Sequence, residues 1–321
     1  MGRNALVTGG AGFIGSHVAD LLNDHDYNVT VLDNLSSGKR SQVARKADFH
    51  ELDIASVDAA EIVRDGEFDV ICHLAAQIDV RKSVADPAAD ARINVVGTLN
   101  LLEAVRANGR PTRFVFSSTG GAIYGDFAEP PTEETSAKDP QSPYGTAKLS
   151  AEYYLGYYAR VHGLDTVALR YANVYGPRQD PHGEAGVVAI FCDRLLDKTQ
   201  LKVFGDGKQT RDYVNVQDVA RANLLAAEAE LPPATTLDSR AFNIGTGVET
   251  SVLELADLLS RAAGTNTGVE HAPARPGEQR RSAVGIGKAS RVLKWRPELD
   301  LGSGLQVTFD WFARQRNGDK R

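Results

Sequence analysis

Tyr144 and Lys148 stand four residues apart in the stretch SPYGTAK. On a helix those two positions share one face. A tyrosine phenol ordinarily titrates near ~10 and is a poor base at neutral pH. An ammonium one turn away favours the phenolate and lowers that value. Such a pair can pass a proton to or from a hydroxyl group. The strand-like run before it ends in FSST. Thr119, or one of Ser117 and Ser118, would hydrogen-bond the same hydroxyl and relay the proton.

A proton carrier of this kind needs a hydride partner. Gly9, Gly12 and Gly15 follow one apolar run and open a second with helical period. Glycine is required where the chain turns with positive φ, where backbone approaches a pyrophosphate and where helix packs on strand. The helix N-terminus then offers unpaired N–H groups to phosphates. Asp33 ends the next strand-like run, where a carboxylate accepts from the adenosine ribose and repels a 2′-phosphate, so NAD is the expected cofactor. Asp53 and Ile54, after Leu52, are placed to bracket adenine. Leu74, Ala75 and Ala76 end a strand with small residues that let backbone come close. His73 reads as a packed strand histidine.

These residues need a scaffold. Short β-branched runs alternate with amphipathic stretches through the first half, the pattern of parallel strands with right-handed crossovers. The expected class is α/β, a Rossmann-type doubly wound parallel sheet. DARINVVGTLNLLEAVRANG and SPYGTAKLSAEYYLGYYARVHG read as long helices closed by Gly, with Ser142 as N-cap and Pro143 in the first turn of the second. LDTVALRYANVYG reads as one strand. After about Tyr175 the pattern loosens, which predicts a smaller α/β substrate-binding domain interleaved with the first. The expected division is 1–174 plus about 214–247 for NAD and about 175–213 plus 248–321 for substrate.

Composition narrows the setting. The chain has 321 residues and a net charge of −6, which gives no electrostatic reason to expect nucleic acid or an anionic membrane. No apolar stretch approaches the roughly 20 residues of a membrane span. The strand-like start leaves no room for a signal peptide. The two cysteines, Cys72 and Cys192, lack metal-ligand spacing and read as buried thiols of a reducing compartment. The expectation is a cytoplasmic protein without a metal site.

TGGAGFIG, DNLSSG, HLAAQ, SSTGGAIYG, YGTAK, RYANVYGPRQDP and TRDYVNVQDVA occur in that order. Together they resemble the extended short-chain dehydrogenase/reductases, the NAD-dependent epimerases and dehydratases. Within them the chain looks most like nucleotide-sugar 4-epimerases of the UDP-glucose/UDP-galactose type. The resemblance implies that Tyr144 takes the proton of the sugar 4-OH, Lys148 supports it and Thr119 relays, with Ser118 an alternative because of the extra glycine. The 4-keto sugar turns over and receives hydride on its other face. It also implies that Phe13, Ile14, Asn34, Ser36, Gly38, Gln77, Asn94, Ser117 and Tyr171 join the NAD site. For the UDP-sugar it implies Asn173, Val187, Lys202, Val203 and Phe204. Arg211 and Arg275 would clamp the diphosphate, and Glu278 would hold the uridine ribose.

Dehydratases of this kind carry an Asp-Glu pair directly after the threonine, and here those positions are Gly120 and Gly121. Elimination at C6 is therefore disfavoured. At Ser282, relatives restricted to plain hexoses have a bulky tyrosine, so serine predicts room for an N-acetylhexosamine. A glucuronate substrate, another nucleotide-sugar oxidoreductase and a non-catalytic NAD-sensing protein are the remaining readings; the last would be expected to lose Tyr144 or Lys148. The tyrosines at 153, 154, 157 and 158 occupy more of their helix than one buried face needs, which together with the resemblance predicts a homodimer.

Overall fold

The structure, a computed structural model, describes residues 2–126, 128–182, 186–275 and 279–318. The chain begins as strand β1 (Arg3–Thr8), helix α1 (Phe13–Asp24), β2 (Tyr27–Asp33), β3 (Asp48–Glu51), α2 (Val57–Asp65) and β4 (Val70–His73). Two short helices, α3 (Val80–Ala85) and α4 (Pro87–Ala91), lead into α5 (Thr98–Asn108), β5 (Arg113–Thr119) and α6 (Pro143–His162). Strands β6 (Asp165–Tyr171) and β7 (Asn173–Tyr175) precede α7 (Val187–Leu196), β8 (Leu201–Phe204), β9 (Thr210–Arg211) and β10 (Tyr213–Asn215). The remainder is α8 (Val216–Glu228), β11 (Ala241–Ile244), β12 (Thr250–Ser251), α9 (Val252–Ala262), β13 (Val269–Ala272), α10 (Gly287–Val292) and α11 (Leu301–Arg316).

Seven strands form one sheet in the order β11-β6-β5-β4-β1-β2-β3. Every pairing in it is parallel. The order reverses between β1 and β4, so a crevice opens at their carboxyl ends, where open α/β sheets take their ligands. Val18, Leu22, Val219 and Leu224 of α1 and α8 cover one face of the sheet. Val63, Leu101, Ala151 and Leu155 of α2, α5 and α6 cover the other. Burial on both faces accounts for the near-continuous apolar runs of the strands.

A third core gathers Val188, Phe191, Leu201, Leu255, Leu259 and Phe312 from α7, β8, α9 and α11. It therefore draws on two separated stretches of chain. Ala289, Leu293 and Trp295 pack instead with the sheet's α1 and α8 face. So part of the stretch expected in the second domain is built into the first.

Two elements differ from their expected form. The stretch expected as one long helix contains a π-helical segment, Arg92–Gly97, between α4 and α5. The run expected as one strand changes partner at its middle. Ala172 N–H still donates to Ile244 O of β11 (2.8 Å), but Asn173 N–H donates to Asp212 O (2.9 Å), and β7 then pairs with β10. α6 has the expected ends: Ser142 Oγ accepts from Gly145 N at 3.1 Å, and Gly163 closes it in the left-handed conformation.

Candidate active site

At Gly9 and Gly15 the turn from β1 into α1 leaves no space for side chains. Gly9 has φ +72°, and a Cβ there would lie 2.7 Å from Ala75 N. A Cβ on Gly15 would lie 2.1 Å from Gly9 O. Gly12 is the N-cap of α1. The backbone of β1, α1 and the segment after β4 thus converge at Gly9, a cradle suited to a pyrophosphate at a helix N-terminus.

Asp33 closes this loop from the next strand. It is almost fully buried, and its Oδ2 accepts from Ala11 N at 3.0 Å while Oδ1 accepts from Leu35 N at 2.8 Å. Gly38 packs so closely that a Cβ would stand 2.9 Å from Asp33 Oδ1. A carboxylate has roughly four acceptor positions, so two remain for a ribose diol. Asn34 Nδ2 donates to Asp53 Oδ2 (3.2 Å), and Ser36 N donates to Asn34 Oδ1 (3.1 Å). Ile54 is buried against Gly97, whose added Cβ would lie 2.7 Å from Ile54 Cδ1.

After β4, Leu74 N donates to Thr8 O and Ala75 N to Thr8 Oγ1, at 3.1 and 3.2 Å. Ala76 continues this half-buried segment. His73 is fully buried between Thr8 Oγ1 (2.7 Å) and Thr98 Oγ1 (2.9 Å). Burial, with the nearby Lys148 charge, holds it neutral and pushes its pKa down to about 3. It is the packed histidine expected. Gln77 N donates to Asn94 Oδ1 (3.0 Å), and Asn94 Nδ2 returns to Gln77 O (2.8 Å), which locks this segment to the π-helical turn.

Lys148 is buried. Its Nζ donates to Ser117 O at 2.8 Å and lies 4.7 Å from the centre of the Phe116 ring. Desolvation pushes the ammonium down to about 8, against the opposing charges of Asp90 and Glu152. Ser117 Oγ and Tyr171 OH are 3.0 Å apart, and Asn223 Nδ2 donates to Tyr171 OH at 2.8 Å. Asn223, from α8, has no distinguishing mark in the sequence.

The three hydroxyls of FSST separate here. Ser118 Oγ donates to Glu152, which is itself bound by Arg170 Nη2 at 2.6 Å in a fully buried pair. Ser117 turns to Tyr171. Thr119 and Ser118 both border, with Tyr144, a cleft of about 560 Å³.

That cleft is lined by residues far apart in the chain. Phe13 and Ile14 of α1 line one end, and Asn173, Val187, Lys202, Phe204, Arg211 and Arg275 line the other. The Arg275 guanidinium lies 3.7 Å from the centre of the Phe204 ring, within cation–π reach. Arg211 Nη1 donates to Thr210 O at 2.7 Å. Val203 alternates to the opposite face of β8 and is fully buried in the third core, away from the cleft. Ser282 is buried and is not among the cleft-lining residues. Glu278 lies outside the described residues. Gln179 and Gln209, both nearly fully buried, line the cleft and were not anticipated; neither stands in a recognisable spacing.

The profile of the NAD dependent epimerase/dehydratase family matches residues 5–245. The chain belongs to this family. It is 44% identical over 315 residues to a UDP-glucose 4-epimerase of Mycolicibacterium smegmatis, covering 97% of this chain and 98% of that one. Its fold is similar to a UDP-glucose 4-epimerase of Thermotoga maritima solved with UDP-glucose, with a TM-score of 0.93 and 48% identity over 98% of this chain and 100% of the other. A UDP-glucose 4-epimerase of Thermus thermophilus complexed with NAD gives a TM-score of 0.89 and 42% identity, over 97% and 99% of the two chains. In this family member Tyr144 lines the same cleft as Phe13 and Ile14 of α1 and as Lys202, Arg211 and Arg275. Among the described residues no group of side chains could hold a metal ion, and no helix is long and apolar enough to cross a membrane.

Proposed function

We propose that this protein is an NAD-dependent 4-epimerase of UDP-hexoses, interconverting UDP-glucose and UDP-galactose and accepting N-acetylhexosamine forms. The observation that carries this reading is the placement of Tyr144 and Thr119 in a cleft that runs from the α1 N-terminus to Arg211 and Arg275. Gly9, Gly12, Gly15, Asp33, Gln77, Asn94 and Tyr171 would hold or support the dinucleotide. When bound, NAD supplies a hydride acceptor that returns what it takes. Tyr144 accepts the 4-OH proton and gives it back. Lys148 supplies the positive charge that makes the phenolate accessible. Thr119 hydrogen-bonds the same hydroxyl; the Ser118 proton is committed to Glu152. Arg211, Arg275 and Lys202 attract the diphosphate, and Phe204 offers a face to the base.

Position 121 supports epimerisation over dehydration. A Cβ there would stand 3.9 Å from Thr119 Oγ1 and 3.8 Å from Asn173 Oδ1, beside the chemistry, and glycine brings no acid. The proposal includes the division into an NAD part, 1–174 plus about 214–247 with the stretch around Ala289, Leu293 and Trp295 packed on it, and a substrate part. It also includes a cytoplasmic setting, consistent with the buried free thiols of Cys72 and Cys192. A homodimer through the π-helical segment with α5, and α6, would cover Val96, Tyr153, Tyr154, Tyr157 and Val161, all exposed in the single chain. Proton NMR of the protein with UDP-glucose, UDP-N-acetylglucosamine and UDP-glucuronate in separate tubes tests the reading. The C4 epimer is expected with the first two and lost by about 10²–10⁴-fold in Tyr144→Phe. No conversion in any tube would remove the UDP-sugar assignment, and conversion of the glucuronate alone would redirect it.

A further inference from the structure

We propose that Asp212, between β9 and β10, is a positioning residue: it gathers three separate segments of chain and so sets Arg211 and Asn173 together at the anion-binding end of the cleft. This rests on the reading of Arg211 as a diphosphate contact. Asp212 is 1% exposed and stands between Arg211 and Tyr213, which both line the cleft. In extended chain successive side chains point to opposite sides, so Asp212 turns inward where its neighbours turn to the cleft. Its Oδ1 accepts from Thr246 N at 2.8 Å and from Thr246 Oγ1 at 2.6 Å. Its Oδ2 accepts from Gly247 N at 3.0 Å and from Val284 N at 3.3 Å. A carboxylate has roughly four acceptor positions, and here all are used within the chain. Asp33 keeps room for a ligand; Asp212 keeps none, and its work is internal. The four donors favour the charged form against the burial that pushes this carboxyl up.

The stretch GTG after β11 is shaped for this carboxylate. A Cβ on Gly245 would lie 2.4 Å from Asp212 Oδ2, and Gly247 completes the turn at φ +76°. The backbone of Asp212 makes the second connection. Its carbonyl accepts from Asn173 N at 2.9 Å, at the point where the chain leaves the large sheet. The third connection runs through Val284, which packs beside the catalytic wall: a Cβ on Gly120, next to Thr119, would lie 2.8 Å from Val284 Cγ1. One buried residue thus joins the strand of Arg211, the strand of Asn173 and the segment that backs Thr119.

The test is isothermal titration calorimetry of the whole chain, with NAD present, using UDP and, separately, inorganic diphosphate. Asp212→Asn keeps the shape but turns an amide nitrogen toward N–H donors. It should weaken UDP about 10–100-fold while NAD is still retained through gel filtration. Arg211→Ala should weaken UDP as well. In the Arg211→Ala background, Asp212→Asn should then cost less than about threefold more, because a residue that acts through another is not additive with it. Losses that multiply independently, or an Asp212→Asn protein that binds UDP like the unsubstituted one, overturn the proposal. Should Asp212→Asn not fold, Thr246→Val removes one of the four donors, and the same non-additivity with Arg211→Ala is required. If the unsubstituted protein binds inorganic diphosphate and not UDP, the UDP-sugar reading falls, and the same cycle run with diphosphate decides Asp212. Binding of neither overturns both.

Discussion

The glycine turn at the α1 N-terminus and the far side of the cleft are built by different means. At the α1 end the working parts are backbone and small residues. Gly9, Gly15 and Gly38 are packed until a single added carbon would collide, and Asp33 is held by two backbone amides. At the other end the working parts are long side chains on short strands and loops: Lys202, Phe204, Arg211 and Arg275. Backbone is positioned by the sheet itself and loses little entropy on binding. Long cationic side chains must be ordered by the ligand. The first end is therefore suited to keeping a cofactor through many turnovers, and the second to letting substrates come and go.

Three perturbations sharpen this contrast or break it. The largest effect is expected from Gly15→Ala. Its Cβ would lie 2.1 Å from Gly9 O, and backbone cannot yield as a side-chain tip can. Retention of NAD through gel filtration should be lost, with destabilisation of roughly 3 kcal/mol or more in urea. A Gly15→Ala variant that keeps its cofactor would show that the cradle is not built from close approach.

Acid should act next, through the same end. His73 and His17 are pushed down to about 3 and about 4, both chiefly by burial. The unfolded chain binds protons near pH ~6.5 that the folded chain refuses, so this stability is whole above about pH 6.5 and falls as pH drops toward those values. Glu134 and Asp212, whose carboxyls burial pushes up, act in the opposite sense. The clean comparison is thus urea unfolding of the unsubstituted protein against His73→Gln. Between about pH 7 and pH 4 the unsubstituted protein should lose a few kcal/mol more, because a tenfold difference in proton affinity between the folded and unfolded chains is worth about 1.4 kcal/mol. Equal losses would show that His73 accepts a proton in the folded state.

The smallest effect belongs to the mouth. Arg275→Ala removes an exposed guanidinium stacked on Phe204. Steady-state kinetics should show KM rising by roughly 10–100-fold with kcat little changed, the loss of a charge-assisted contact of about 1.5–3 kcal/mol. A fall in kcat with unchanged KM would place Arg275 in the chemistry and dissolve the contrast.

Much of this site is legible in the chain alone. Three glycines at fixed spacing between a strand and a helix leave few alternatives, because only glycine permits that turn and that approach. Tyr144 and Lys148 share a helix face by spacing alone, and Ser142, Pro143 and Gly163 mark that helix's ends. The limits of such reading are equally physical. Strand alternation implied that Val203 and Phe204 face opposite ways, but not which of them faces the cleft; packing against α7 and α9 decided it. Ser282 matched a motif position, yet it is buried away from the cleft lining, and Ser118 lines the cleft while its hydroxyl is bound to Glu152.

What the sequence by itself determined are the features set within a turn or two of chain: the glycine turn, the strand-end carboxylate, the helix that carries the tyrosine–lysine pair, and the alternation that makes a doubly wound sheet. What only the tertiary structure decided are the partners reached across it. Asn223 reaches Tyr171 from α8, Asn94 of the π-helical segment binds Gln77 after β4, and Arg170 of β6 binds Glu152 of α6. Local spacing fixes which face a residue occupies. Which charge it meets there depends on how separate elements pack, and in a dry interior that meeting sets the chemistry.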